Sequence, residues 1–161
     1  WSIFALYLSG IGANTLWIAI MDMINMGGQF IAMRLIQRFN PARIFTIGLV
    51  TSVLVFAVYG VASHYLQLIP VQILLAIAWS GLFVGALNYL MAKNVERGTA
   101  AGMLYATSSL SGGIGPFLGG AISQVWGFST LMYVSSGLSF AGLLASRGLN
   151  ARDRDKRTPK R

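Results

Sequence analysis

Two long stretches of the chain, residues 44–92 and 98–146, hold no Asp, Glu, Lys or Arg, and apolar positions dominate both. Neither fits a single membrane helix, because a bilayer core about 30 Å thick is crossed by roughly 20 helical residues. Each stretch therefore predicts two spans joined by a short turn. The first breaks at 62–67 (ASHYLQ), where His64 and Tyr65 suit a headgroup boundary and Pro70 falls in the first turn of the next helix. The second breaks at 124–129 (QVWGFS), with Trp126 as an interfacial anchor and Gly127 as a turn residue. Upstream, residues 15–36 form another apolar span, entered through Ala13-Asn14-Thr15 and left at Arg34 and Arg38. The pattern thus predicts an all-α, polytopic membrane helix bundle with five complete spans at about 15–36, 44–62, 68–92, 98–123 and 128–146. Residues 1–8 (WSIFALYL) read as the end of a sixth, truncated span, since eight helical residues rise only about 12 Å.

Charge then orients the bundle. The net charge of +8 would ordinarily suggest nucleic acid, but all 12 Lys and Arg fall into three short segments: 34–43, 93–97 and the tail from Arg147. That is the distribution of a membrane protein obeying the positive-inside rule, not of a basic binding face. The alternating path puts the three segments on one side, so residues 148–161 are expected to be a basic cytoplasmic tail in a cell (inner or plasma) membrane. Charged residues are only 10% of the chain against roughly 25% in soluble domains, which argues the same way. With no Cys, one His and four acidic residues, disulfides and multi-ligand metal centres are not expected, and no cofactor is predicted. No paired carboxylates or nucleophile–base arrangement points to an enzyme.

Two motifs carry a family resemblance. The segment Arg34-Leu35-Ile36-Gln37-Arg38-Phe39-Asn40-Pro41-Ala42-Arg43 joins two spans across a tight basic turn. It resembles the loop pattern G-x-x-x-D-R-x-G-R-R of the major facilitator superfamily. Gln37 takes the Asp place, Arg38 the Arg, Asn40 the second Gly and Arg43, one residue further on, the last basic residue, while Met33 and Pro41 depart from the pattern. The second motif lies in GMLYATSSLSGGIGPFLGG, where Gly102, Ser111, Gly115-Pro116 and Gly119-Gly120 reproduce the spacing G-x8-G-x3-G-P-x2-G-G with Ser111 in one Gly place. Small residues at intervals of four predict close helix approach in lipid, and Pro116 predicts a kink. The pattern is similar to that of the fifth span of drug–proton antiporters of this superfamily, here at the symmetry-related eleventh. The resemblance covers the chain to about Arg147 and implies the C-terminal six-helix half of a twelve-span facilitator, with the N-terminal half of the same protein as its partner.

Candidate pathway residues follow from polarity within spans. Asp22 is the only acidic residue inside a predicted span and should face the bundle interior or a wet cavity, because a carboxylate in lipid costs on the order of 2.5–3.5 kcal/mol. Asn25 and Gln29 share its helical face. Desolvation favours the neutral form of such a group, which would let it take up and release a proton. Trp79 and Asn88 on the span at 68–92, and Tyr105 and Thr107 on the next, could supply an aromatic wall and hydrogen bonds. Met21, Met23, Met26 and Met33 offer an adaptable apolar surface.

The resemblance implies a secondary active transporter of a small organic solute working by alternating access, with proton-coupled efflux of a drug or metabolite as the leading reading. A sugar or organic-ion symporter or facilitator on the same fold is the alternative. From another class, the chain could be a non-transporting membrane assembly or lipid-interacting subunit. The lipid bilayer, a small-molecule substrate and protons are the expected partners, and nucleic acid is not.

Overall fold

The computed structural model describes residues 2–155, with side chains described for residues 3–147. The described chain is helical throughout apart from its turns. Helix α1 (Ser2–Gly10) ends in a turn through Gly12, whose φ of 93° is in the left-handed region that glycine tolerates. Asn14 caps α2 (Thr15–Ile36): its side-chain oxygen accepts from the Trp17 N–H at 3.0 Å. Asn40 does the same for α3 (Pro41–Val61), accepting from the Ala42 and Arg43 N–H groups, and Pro41 sits in the first turn where it loses no helical bond. These two devices start α3 three residues before the hydrophobic pattern does. A 3-10 turn (Tyr65–Leu68) leads into α4 (Ile69–Lys93), with Pro70 in its first turn.

The last element, α5 (Arg97–Asp155), is broken within the expected turn at 124–129. Only Gly127 leaves the helical region, at φ 82° and ψ 165°, and the helix resumes at once. A carbon added at Gly119 would lie 3.7 Å from Leu131, a contact a straight helix forbids at that spacing, so α5 folds back on itself as two limbs. At Pro116, the expected kink site, the backbone stays helical. Beyond residue 146 the helix carries on to Asp155, into the basic tail.

Packing pairs fix the topology. Gly48 meets Gly81 and Phe45 meets Gly85, while Gln72 reaches Tyr59, so α3 and α4 run antiparallel. Asn25 bonds Gln72, Gly28 meets Ala76 and Ser80 bonds Gln29, so α2 runs parallel to α4. The second limb of α5 lies antiparallel along α3, through Tyr133 against Gly60, Ser136 donating to the Val53 carbonyl at 3.0 Å, and Gly142 against Leu49. This path brings Arg34, Arg38, Arg43, Lys93, Arg97 and Arg147 to the same end of the bundle. Four helices among the described residues are long and apolar enough to cross a membrane, and each limb of α5 exceeds the roughly 20 residues a crossing needs.

Candidate functional site

Intramembrane polar groups collect between α2 and α4. Asp22, Asn25 and Gln29 follow one another at helical spacing on α2, and all three line one cavity of about 480 Å³, together with Trp79 from α4. The apolar wall comes from Phe4 and Ala5 of α1, Ile18 and Met26 of α2, and Leu75 of α4. The cavity is partly open, and Trp79 in its lining is half-exposed. Asp22 is partly buried and makes no hydrogen bond or ion pair among the described residues. Its carboxylate therefore faces the cavity uncommitted.

The neighbouring amides are held firmly. Gln29 Nε2 donates to Asn25 Oδ1 at 2.6 Å, and Asn25 Nδ2 donates to the Gln72 carbonyl at 3.2 Å. Asn25 is buried to 1% exposure. Behind it, fully buried Gln72 donates through Nε2 to the Tyr59 hydroxyl at 3.1 Å, and the Tyr7 hydroxyl donates to the Tyr59 carbonyl at 3.0 Å. Ser80 Oγ donates to the Gln29 carbonyl at 3.4 Å, tying the cavity face of α2 to α4 a second time. Buried polar groups need such partners, since each one unmade costs about 1–3 kcal/mol. Gln72 Oε1 has none. The chain of amides and phenols thus fixes where Asn25 and Gln29 present their free atoms.

This supporting set is not among the candidates drawn from sequence. Gln72 could have been found there, as an amide within a mostly apolar span, by the same rule that picks out Asp22. Nothing local in the sequence marks Tyr59 and Tyr7 as partners of residues so distant along the chain.

Other candidates lie elsewhere. Asn88 is half-buried on α4, away from the cavity lining. Tyr105 is exposed and packs edge-on against Phe83, with ring centres 5.5 Å apart. Thr107 turns its hydroxyl back to the Met103 carbonyl of its own helix at 2.8 Å. Arg34, Gln37, Arg38 and Arg43 are exposed around the α2–α3 turn, and Asn40, matched to a glycine place, serves as a helix cap. Within the small-residue motif, a carbon added at Gly119 would stand 3.2 Å from Ile3, whereas Gly102, Gly115 and Gly120 have nothing within 4 Å and Ser111 is exposed. The close contacts expected of that motif are made instead by Gly48, Gly81 and Gly85, at the α3–α4 crossing.

Comparison with known proteins yields a family model described as Major Facilitator Superfamily, which matches residues 1–161. Neither the curated proteins nor the solved structures give a significant match.

Proposed function

The chain belongs to the major facilitator superfamily and is a multi-pass membrane protein of its transporter class, and on that premise we propose that the Asp22 cavity is the solute site of a proton-coupled exporter. The observation that carries this reading is the meeting of Asp22, Asn25, Gln29 and Trp79 in one drug-sized hollow between membrane-length helices. In this reading, Asp22 accepts a proton when the cavity faces the more acidic side and releases it on the other, driving a small organic solute outward in exchange. Alternating access requires a second helical bundle to rock against this one about the site.

Support for that second bundle comes from the first limb of α5. Thr107, Ser108, Ser109 and Ser111 stand exposed beside unpartnered glycines, a surface better suited to close protein packing than to lipid tails. The protein is assigned to a cell membrane with its basic end in the cytoplasm, because that end gathers the basic side chains of the loops.

The test is uphill flux in vesicles carrying the purified protein, with an imposed pH gradient. Wild type is expected to accumulate solute against its concentration only while the gradient lasts. Asp22→Asn is expected to abolish the uphill component. Uphill flux unchanged in Asp22→Asn would remove the coupling role.

A further inference from the structure

We infer that the α2–α3 turn holds the headgroup of an anionic phospholipid, through Arg34, Arg38, Arg43 and Arg147. The inference is independent of what the Asp22 cavity carries. Residues 34–43 include three arginines and no Asp or Glu. Gln37, which caps α2, keeps helical backbone, and the Phe39 N–H donates to the Ile36 carbonyl, so Arg34 and Arg38 follow at one-turn spacing. Arg43 lies in the first turn of α3. The fourth arginine arrives from a distant part of the chain. Ser136 bonds Val53 and Gly142 faces Leu49, and the same antiparallel register sets Arg147 level with the start of α3.

What singles out these four is that the bundle leaves them uncommitted. All are exposed and make no hydrogen bond or ion pair among the described residues. The neighbouring α4–α5 turn differs, because Lys93 Nζ lies 4.6 Å over the Tyr89 ring and Thr99 donates to Glu96 Oε2 at 3.1 Å. Four like charges gathered from three helices repel one another, so a counter-charge from outside the chain stabilises the arrangement. Guanidinium groups meet phosphate oxygens two bonds at a time, a geometry that suits a phosphate better than a carboxylate-free turn in water.

Positive charge alone would orient the chain in its membrane, and the apolar residues interleaved with it point further. Phe39 at the tip of the turn is 66% exposed, and Leu35, one turn before it, is 58% exposed. Such side chains are favoured where headgroups give way to acyl chains. A soluble phosphate would satisfy the arginines and leave Phe39 and Leu35 in water. A phospholipid satisfies both, with its phosphate on the guanidinium groups and its glycerol and first methylenes against the apolar pair. A zwitterionic headgroup carries its own cation into the cluster, which favours an anionic lipid.

The experiment counts lipid retained by the purified protein in native mass spectrometry, after incubation in neutral detergent with equal amounts of dioleoylphosphatidylglycerol and dioleoylphosphatidylcholine. The anionic lipid is expected to be retained about fivefold or more over the zwitterionic one. Arg38 and Arg43 are exposed and unpartnered among the described residues, so their variants keep the fold. The double variant Arg38→Gln with Arg43→Gln should weaken retention by about tenfold or more, and Arg147→Gln or Phe39→Ala by about twofold to fivefold, whereas Arg97→Gln on the other turn should change it less than about twofold. Glycerophosphoglycerol, the headgroup without its tails, should not displace the lipid at equal concentration. Equal retention of the two lipids, or a double variant that keeps the anionic lipid like wild type, would overturn the assignment. A loss in Arg97→Gln as large as that in the double variant would also overturn it, by showing a diffuse field in place of a site. Displacement by the free headgroup would replace the lipid with a soluble anion and refute the inference.

Discussion

The α3–α4 crossing and the first limb of α5 are both rich in glycine, yet they use it in opposite ways. At the crossing, a carbon added at Gly48 would lie 2.7 Å from the Leu82 nitrogen, and one at Gly85 would lie 2.7 Å from the Phe45 nitrogen. Backbone meets backbone there, and no side-chain motion can relieve the clash. On α5, carbons added at Gly102, Gly112, Gly113 or Gly115 would meet nothing within 4 Å. Glycine frequency therefore does not locate the packing centre of this bundle. What distinguishes the two is the partner helix: the first region meets one backbone to backbone, and the glycines of the second face open space among the described residues.

The largest expected effect breaks the tight side. Gly85→Val should destabilise the protein by ~3 kcal/mol, since overpacking against fixed backbone cannot relax. Thermal unfolding in detergent, or loss of folded yield, reads this directly. A variant as stable as wild type would mean that α3 and α4 do not approach at Gly85.

Next is the hinge of α5. Gly127 occupies a backbone region nearly exclusive to glycine, so Gly127→Ala should cost about 1–3 kcal/mol, whereas Gly137→Ala, within the helical second limb and with open space around it, should be close to neutral. Equal melting of the two variants would contradict a fold-back at residue 127.

The smallest effect on stability sharpens the open side. Gly115→Leu should change stability by no more than ~0.5 kcal/mol, because nothing stands where the side chain would go. The same variant should lower transport several-fold, because the proposed second bundle needs the close approach that Gly115 permits. Full transport by Gly115→Leu would mean that this face meets lipid.

The contrast also marks how far the fold and site were readable in sequence. Charge-free runs predict membrane-length apolar helices because a helix must fill the bilayer regardless of its neighbours, and the Asn40 cap is what starts α3 three residues earlier. The polar face of α2 was legible for a similar reason: positions 22, 25 and 29 fall together from helical period alone. Trp79 was named for its aromatic character, and α2–α4 packing is what sets it opposite Asp22. Less visible were relations between helices. Gln72 and Tyr59 complete the network behind Asn25 through contacts that no local pattern encodes. The glycine motif pointed to α5, whereas the backbone contacts lie at Gly48 and Gly85, because a small residue permits approach without saying which helix arrives.

The central claim is that Asp22 faces a wet cavity that admits solute, and the absence of cysteine in this chain makes that directly measurable. Single cysteines would be placed at Met26, in the cavity lining, and at Leu54, exposed on the middle of α3 and outside that lining. Both would be treated with a membrane-impermeant, cationic thiol reagent in sealed vesicles of each orientation. Rapid modification of Met26→Cys, with Leu54→Cys unreactive in lipid, is the predicted result. Equal protection of both cysteines from the reagent in either orientation would show that water does not reach Asp22, and would contradict the account.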